Sequence, residues 1–424
     1  MRLNNIPNYN INFKGYDARP MKALAITSPG YNCEIARELE RIAEVGNFKL
    51  QILTGNKLKD LAYIDELVPT PEDVRKRQEE FYRKYNGLIK NGMKINVNSN
   101  PEPPRPRGFK PSKGTCVWAQ DINTVTPSGK VVGNPQQMTL ARNIAALHNL
   151  KAQVDYDWLP GGNIYYIRNS KGKDELLAGK HERRKISDED TKEIDYEKLK
   201  NFYGVNKITF LPQLDFHIDL YVRPLDNKRI LVADDNLTLK VLQDGIKKVT
   251  KAFKECTDTK KAQYLDTILE KLEILEGEFL CTVATTKFSR NKKLKKILKA
   301  NGFTVIPVPG RLYDMNYSST PCHKMNYMNG IALKNDNDEL VYITNKSKVD
   351  VDLGITPQLE KELDFSMEKA FKDSVAEYIK PENIFFVSGL YNEIADNLTK
   401  KRGGIHCMVT EIPKEDDTKN EYVS

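Results

Sequence analysis

The sequence predicts an α/β protein built from many short strand–helix units. Short apolar segments of strand length alternate along the chain with segments whose apolar residues recur at helical spacing. Hydrophobic residues make up 39% of the 424 residues and charged residues 29%, which is typical of a globular protein with a substantial core. The chain has no dinucleotide-binding glycine fingerprint and no Walker loop, so nucleotide-binding folds of these two kinds are not indicated.

The elements follow from hydrophobic periodicity and from turn residues at their ends. Strands are predicted over residues 22–27, 49–54, 164–168, 230–233, 279–285, 303–308, 331–333, 340–344 and 383–387, and the stretch 208–222 contains the clearest strand of the chain. Helices are predicted over 34–43, 71–91, 136–150, 292–301, 364–378 and 393–401, and residues 237–276 predict two amphipathic helices broken near 257–259. The charged stretch 173–203 predicts surface helix and loop, and the Pro- and Arg-rich stretch 96–113 an extended loop, either a lid over a site or plain surface.

Charge and cysteine content narrow the class of protein. The net charge is +8, but the 66 basic and 58 acidic residues are interspersed, so nucleic-acid binding is not predicted. The six cysteines form no C-x-x-C pair, which favours reduced thiols over a disulfide framework. We find no apolar run of membrane-spanning length and no apolar core of a secretory signal, so we expect a cytoplasmic protein without a membrane partner.

The first candidate site is the stretch Arg402–Thr410, RGGIHCMVT. Its two glycines allow a tight turn and a close approach of the backbone to a ligand. The alternation after them predicts a strand leaving that turn, with Cys407 beside the turn. Cys407 is either a nucleophile or one more buried small apolar side chain.

The second candidate site is the alternating stretch Leu214–Val222. As a strand it would place Asp215, His217, Asp219 and Tyr221 on one face and its apolar residues on the other. That polar face describes either a solvated surface or a polar pocket. With only five histidines in the chain, the His-x-Asp pair points to acid–base chemistry or to metal binding.

Three weaker segments complete the set. Trp118-Ala119-Gln120-Asp121 ends in a carboxylate, Leu159–Asn163 contains a Gly-Gly turn, and Met325–Gly330 offers Asn side chains. Each is equally an ordinary strand end, loop or Asn-Gly turn when taken alone.

Together, W-x-x-D, G-G-N, H-x-D, N-Y-x-N-G and G-G-x-H-C-x-x-T, in this order, resemble the motifs of the guanidino-group-modifying enzymes. That superfamily includes the agmatine, arginine and protein-arginine deiminases and the amidinotransferases, and the resemblance covers residues 115–411. It implies the pentein fold, an α/β propeller of five pseudo-repeated ββαβ units around a central active site. Residues 1–411 would then form one catalytic domain with a helical insertion at 237–276, and 412–424 a polar tail.

The resemblance also implies a deiminase reaction that turns an arginine-type guanidinium into a ureido product and ammonia through a covalent Cys thiouronium. Guanidinium groups pair with carboxylates, which suits two aspartates in the site. The residues implied as catalytic are Cys407, His217, Asp219 and Asp121. Those implied to bind the substrate, a small guanidine or an arginine-containing peptide, are Trp118, Gly162, Asn163, Asn326 and Gly404.

The chain departs from the family at two places that concern the rest of the substrate. Pro160 stands where many relatives carry glutamate, and residues 118–121 lack the Arg-Asp-x-Gly-Pro of agmatine deiminases. The identity of the guanidine and the oligomeric state therefore stay open.

Several alternatives also stay open. The protein could be an amidinotransferase, a non-catalytic pentein binding module, or a metal protein with a site built from His217, Asp219 and Cys407. No cofactor or metal is expected; calcium at the acidic turn 335–339 is conceivable, but its spacing is not that of an EF-hand.

Overall fold

The structure is a computed structural model. It describes residues 21–27, 33–54, 57–60, 118–133, 138–154, 159–169, 172–180, 196–214, 217–286, 288–314, 322–387 and 404–413. The predicted helices 71–91 and 393–401 and the loop 96–113 lie outside these residues. Helices and strands are mixed along the described chain, which confirms the α/β class.

The described strands and helices are short, apart from two long helices in the middle of the chain. The strands are β1 (Met21–Thr27), β2 (Leu50–Thr54), β3 (Lys57–Asp60), β4 (Asn123–Val125), β5 (Lys130–Gly133), β6 (Lys151–Val154), β7 (Ile164–Arg168), β8 (Asp174–Lys180), β9 (Lys207–Pro212), β10 (Val222–Pro224), β11 (Arg229–Ala233), β12 (Thr304–Val308), β13 (Arg311–Asp314), β14 (Cys322–Asn326), β15 (Ile331–Lys334), β16 (Leu340–Asn345), β17 (Ile384–Val387) and β18 (Val409–Pro413). The helices are α1 (Cys33–Gly46), α2 (Ala119–Ile122), α3 (Met138–Leu147), α4 (Tyr196–Tyr203), α5 (Asp235–Glu255), α6 (Thr259–Thr286), α7 (Phe288–Ala300), α8 (Lys348–Asp352), α9 (Pro357–Leu363), α10 (Met367–Val375) and α11 (Ile405–Met408).

Five sheets of the described chain share one pairing pattern. In β4-β5-β6, β7-β8-β9, β10-β11-β12 and β15-β16-β17, the first two strands pair antiparallel and the third joins the second in parallel. The fifth sheet repeats the pattern with strands from both ends of the described chain: β18 is antiparallel to β1, and β2 is parallel to β1. A parallel pair needs a crossover connection, and in every sheet at least one helix provides it.

The crossover of the β10-β11-β12 sheet is the longest, because α5, α6 and α7 all lie between β11 and β12. This confirms two helices broken near 257–259. Buried residues of α6 recur at helical spacing, at Leu265, Ile268, Leu272, Leu275 and Phe279. The strand predicted at 279–285 is therefore wrong. Phe279 is the next residue of the buried stripe of α6, and Leu280 is 43% exposed on the opposite side.

Two other predictions are corrected. The stretch predicted as surface helix and loop at 173–203 begins with β8, whose residues Leu176, Leu177 and Ala178 are fully buried. The single helix predicted at 364–378 is two helices. Asp364 ends α9 in a left-handed conformation, and the Ser366 hydroxyl accepts a hydrogen bond from the Lys369 amide to begin α10.

Both candidate motifs also fold differently from the predicted strands. The stretch 208–222 contains a strand as predicted, since β9 runs through it to Pro212, but in its alternating part residues Ile218–Leu220 form a 3-10 turn before β10. Residues 405–408 form the short helix α11, and the strand begins only at Val409. Alternation therefore does not describe these segments, and His217 and Asp219, expected on one polar face, are both buried. Finally, β18 extends through Ile412 and Pro413, two residues into the segment expected to be a tail.

Candidate active site

Short turns directly before the first strand of each of the five sheets converge on one place. They are residues 119–122 before β4, 161–163 before β7, 218–220 before β10, 327–330 before β15 and 405–408 before β18. They contribute Asp121, Gly162, Asp219, Asn329 and Cys407. Since each turn occupies the same position in its sheet, the repeated strand pattern explains how residues far apart in sequence come together.

Cys407 lies in α11 and is 1% exposed. Its Sγ is 3.1 Å from Nδ2 of Asn329 and 3.4 Å from Oδ2 of Asp219. Burial raises the pKa of the Cys407 thiol well above its usual value, and the carboxylates of Asp219 and Asp121 raise it further. Without a ligand, Cys407 is therefore a neutral thiol that donates to Asp219. A cation placed among these carboxylates would lower the thiol pKa.

Asp219 is the most enclosed charged group of the site, with no exposed surface. Its Oδ2 accepts hydrogen bonds from Nδ2 of Asn329 at 2.8 Å and from the Cys407 thiol, and lies 2.9 Å from Nδ1 of His406. Its other oxygen, Oδ1, is buried and accepts no hydrogen bond from any residue in the described part of the chain. Burial and the Asp121 carboxylate raise the pKa of Asp219 well above its usual value, against the opposing effect of these donors.

Asp121 and His217 face Gly162. Nδ1 of His217 lies 3.5 Å from Oδ1 of Asp121. A Cβ placed on Gly162 would lie 2.7 Å from Nδ1 of His217, 2.8 Å from Oδ1 of Asp121 and 3.0 Å from Oδ2 of Asp219. Only a residue without a side chain allows an imidazole and two carboxylates to come this close together. Burial raises the pKa of Asp121 to about 7, partly offset by a hydrogen bond from the Gly162 backbone.

Asn163 and Asn326 shape the turns of the site. Oδ1 of Asn163 accepts the amide hydrogen of Ile218 at 3.1 Å, which ties the turn before β7 to the turn that carries Asp219. Oδ1 of Asn326 accepts the amide hydrogens of Met328 and Asn329, at 3.0 and 3.1 Å. The structure thus places both side chains on backbone groups of the turns that carry the site.

Gly404 and Trp118 lie at the edges of this arrangement. A Cβ on Gly404 would lie 2.5 Å from Nδ2 of Asn345 and 2.6 Å from Oδ1 of Asn329, so this glycine lets α11 begin against the turn before β15. Trp118 is partly buried and packs against the apolar cluster that also contains residues of α11. A hydrogen bond from the Gly404 backbone lowers the pKa of the Cys407 thiol, against the effects of burial and of the two carboxylates.

Two residues of the site were not predicted. Asn329, and not Asn326, contacts both Asp219 and Cys407. The segment MNYMNG contains both asparagines, and nothing in it says which one points inward. His406 is fully buried and contacts Asp219. Its neighbour Cys407 drew attention as the candidate nucleophile. The histidine one position earlier in the same motif was also a sequence signal, since the chain has only five histidines.

The described residues form no candidate metal site. They contain no group of three or more His, Cys, Asp or Glu side chains placed to hold a metal ion. In the acidic turn at 335–339, Nζ of Lys334 contacts Asp338 at 2.7 Å and Nζ of Lys380 contacts Glu339 at 2.5 Å. Oδ1 of Asn335 accepts the amide hydrogens of Asn337 and Glu339 and closes the turn between β15 and β16.

None of the helices in the described part of the chain is both long enough and apolar enough to cross a bilayer.

Comparison with known proteins places solved structures of guanidino-group-modifying enzymes among those similar to this chain. C. jejuni agmatine deiminase is 16% identical over 93% of this chain and 94% of its own, with a TM-score of 0.44. A protein described as a candidate peptidyl-arginine deiminase is 14% identical over 95% and 99%, with a TM-score of 0.47. DDAH from Pseudomonas aeruginosa, complexed with citrulline, is 9% identical over 93% and 100%, with a TM-score of 0.33. No family model and no curated protein matches the sequence. Because these TM-scores are below 0.5, the functional proposals below depend on side-chain geometry and not on the comparisons.

Proposed function

We propose that the protein is a hydrolase that converts the guanidinium of an arginine-type compound into a ureido group and ammonia. One observation carries the proposal: an imidazole and two carboxylates lie around Gly162, and a buried thiol contacts one of these carboxylates. Sγ of Cys407 is 3.4 Å from Oδ2 of Asp219, and a Cβ on Gly162 would lie within 3.0 Å of His217, Asp121 and Asp219. These are the groups needed to bind a planar cation and to attack its carbon.

The two carboxylates supply the binding chemistry. A guanidinium is a planar set of N–H donors, so it pairs best with carboxylate oxygens that have no other donor. Oδ1 of Asp219 and Oδ1 of Asp121 are buried and accept no hydrogen bond from the described residues, although the latter faces His217. Leaving such oxygens without donors costs free energy, and a bound cation with several N–H groups would remove that cost.

The thiol supplies the nucleophile. The positive charge of the substrate offsets the carboxylates that raise the pKa of Cys407, and so favours its thiolate. Sγ forms a bond to the guanidinium carbon, and the thiol proton passes through His217 to the departing nitrogen. The C–N bond breaks, ammonia leaves, and the carbon stays bound to Cys407 as a thiouronium.

Water completes the cycle. His217, now neutral, accepts a proton from a water molecule that attacks the thiouronium carbon. The C–S bond breaks, Cys407 returns to its starting form, and the ureido product leaves with the oxygen of that water. His217 thus acts first as acid and then as base, which one imidazole can do near neutral pH.

The pentein propeller is part of the same proposal. Five sheets with one pairing pattern, each preceded by a turn that supplies a residue of the site, support an arrangement around a central active site. Residues 1–411 would form that catalytic domain. The substrate is a free guanidine or an arginine-containing peptide, since the residues expected to recognise its remaining part differ from the family pattern.

The test is product release from free arginine, agmatine and an arginine-containing peptide, assayed for ureido product and for ammonia. Acid-quenched samples are digested and searched by mass spectrometry for an amidino-type adduct on the Cys407 peptide. Equal amounts of both products, with the adduct on Cys407, are expected from one member of the panel. Product that forms only when an amine acceptor is added would indicate an amidinotransferase. Folded protein that binds a guanidine without product or adduct would indicate a binding module.

Binding of a cationic substrate is expected to strengthen as pH rises toward neutrality. Asp121 has a pKa of about 7, above the usual 3.8, so it is neutral below that pH and negative above it. A guanidinium prefers the ionised form, so the Kd of the Cys407→Ala variant for the substrate should fall about tenfold per pH unit from pH 5 to 7. Calorimetry measures this, with the uncharged ureido product as the control ligand. The same Kd at pH 5 and pH 8 for the cation would contradict the role of Asp121.

Gly162→Ala is expected to reduce kcat/KM about 100-fold, because the new Cβ would displace His217 and both carboxylates from their positions. Gly277→Ala is the matched control. No atom lies within 4 Å of a Cβ at Gly277, and alanine in the interior of α6 should stabilise the fold by about 0.5–1 kcal/mol. Steady-state kinetics and thermal unfolding of both variants separate the effects. Wild-type kinetics in Gly162→Ala would show that the space around this glycine has no part in catalysis.

A further inference from the structure

The two oxygens of Asp219 have different surroundings. Oδ2 lies within hydrogen-bond distance of Asn329, His406 and Cys407. Oδ1, in contrast, has no hydrogen-bond donor among the residues that the structure describes. The first oxygen is therefore held by the protein, and the second is the one left for a ligand. The side chains around Oδ2 decide how the carboxylate is turned, and so where Oδ1 points.

His406 is the residue of this group without an assigned role. Its ring is fully buried, with Nδ1 2.9 Å from Oδ2 of Asp219. The opposite ring nitrogen, Nε2, is 3.9 Å from Oε1 of Glu411, which also accepts a hydrogen bond from Arg223 at 2.5 Å. The ring centroid of Tyr165 lies 5.8 Å from that of His406, and the Arg223 guanidinium stands 5.3 Å from the Tyr165 ring. The imidazole is thus enclosed on several sides.

The protonation of His406 follows from this enclosure. Burial lowers the pKa of His406 well below its usual value. The charges of Arg223 and of His217 lower it further, so the ring is neutral. A neutral imidazole carries one proton. A guanidinium pairs with the ionised form of Asp219, which has no proton to give, so only a ring with its proton on Nδ1 can donate to Oδ2 of that carboxylate.

We propose that His406 is a positioning residue: as a neutral imidazole protonated on Nδ1, it fixes Oδ2 of Asp219 so that Oδ1 faces the substrate guanidinium. The inference rests on the proposed function for the identity of the ligand, but not for the hydrogen bond itself. His406 touches neither the thiol nor the expected position of the guanidinium carbon in the described contacts, so it acts through Asp219.

The Arg223–Glu411 pair has a defined part in this arrangement. Both side chains are buried, and they meet Nε2 of His406 through the shared Glu411 oxygen. Glu411 therefore lies on the side of the ring that does not face Asp219, and Arg223 holds Glu411 there. Arg223 also lowers the pKa of Asp219, because its positive charge favours the carboxylate.

The first experiment needs no variant. Nitrogen-15 NMR of the histidine rings in the wild-type protein, from pH 5 to pH 8, should show for His406 a neutral ring protonated on Nδ1 throughout. The charged and titratable groups that face this ring are Asp219, Glu411, Arg223, His217 and Tyr165. A ring protonated on Nε2, or an imidazolium in this range, would overturn the proposal, because Asp219 would then be held in another way or not ionised.

The second experiment measures the consequence for binding and turnover. His406→Phe keeps a flat ring but has no donor, and its affinity for the guanidinium and its kcat should fall roughly 10- to 100-fold. In His406→Asn the amide nitrogen can occupy the place of Nδ1, so a large part of the loss should be recovered. His148→Asn is the control for removing a buried histidine elsewhere in the chain, where His148 contacts Gln51. Thermal unfolding shows whether each variant is folded.

The outcomes separate this inference from the proposed function. Wild-type affinity and turnover in a folded His406→Phe variant, or equal losses in the Phe and Asn variants, would contradict the positioning role. If the wild type neither binds nor converts any guanidine of the panel, the proposed function fails. The tautomer measured by NMR still decides whether His406 donates to Asp219.

Discussion

Cys407→Ala is expected to lower turnover of the guanidinium substrate by at least about four orders of magnitude, while the Kd changes less than about threefold. In the proposed mechanism the sulfur forms the covalent bond to the substrate carbon. Cys407 is buried in the site, whereas Cys256 is partly exposed and Cys281 is exposed on α6. The carboxylates that bind the cation stay in place, since Asn329 and His406 still contact Asp219. Binding without reaction is therefore the signature of this variant.

Cys281→Ala is the matched control, because it removes a thiol of the same chemistry from an exposed helix position. It should retain wild-type kinetics and change the free energy of unfolding by less than about 0.5 kcal/mol. The measurement is product formation over hours at high enzyme concentration, together with calorimetric binding. Residual turnover above about one percent of wild type in Cys407→Ala would mean that another group attacks the substrate, and the covalent mechanism would be abandoned.

Asp121→Asn is expected to abolish most activity and at the same time stabilise the fold at high pH. Removing one member of a buried ion pair with the substrate should lower kcat/KM roughly 10²- to 10³-fold. The pKa of Asp121 in the folded protein is about 7, compared with the usual 3.8 of an aspartate carboxyl, so the folded state binds the proton more tightly than the unfolded state. The wild-type free energy of unfolding therefore decreases as pH rises from about 4 to about 7, and the asparagine variant avoids that decrease.

The expected gain at pH 8 is on the order of 2 kcal/mol, about half of what a shift of this size corresponds to when the group has no access to water. The reduction reflects the Asp121 side chain, which is 19% exposed. At pH 4 the two proteins should be nearly equal in stability. Denaturant unfolding at both pH values measures this, with Asp373→Asn, at an exposed carboxyl, as the control. A variant that is less stable than wild type at pH 8 would show that Asp121 is held by an interaction stronger than its burial cost.

The site also shows what a sequence pattern can and cannot predict. Cys407, His217, Asp219 and Asp121 were named from motifs. In the structure the last three lie around Gly162, and Cys407 contacts Asp219. Their roles stay predictions. Motif spacing carries such information because each residue sits on a short turn next to its strand, a local feature. The choice between Asn326 and Asn329 depends on how the turn before β15 meets α11, which is a tertiary contact and has no periodic signature.

Two predictions of secondary structure failed for a related reason. The alternation of residues 214–222 predicts a strand, yet the chain turns at His217 because Asp219 must reach Asn329 and His406. Local propensity yields here to the need to satisfy a fully buried carboxylate. Phe279 was assigned to a strand because a short apolar run is ambiguous without its context, and only the buried stripe from Leu265 onward identifies the helix.

The pairing of β18 with β1 has a consequence for the order in which the protein becomes functional. Ile26 pairs with Val409, so the strand that follows Cys407 depends on a partner far earlier in the chain. A chain still growing on the ribosome holds β1, Asp121 and Asp219 long before it holds Cys407. Closing so long a loop is entropically costly, and β18 can join its sheet only after the other described strands have been made. Under the proposed mechanism, the growing chain would convert no guanidine until synthesis has passed Cys407.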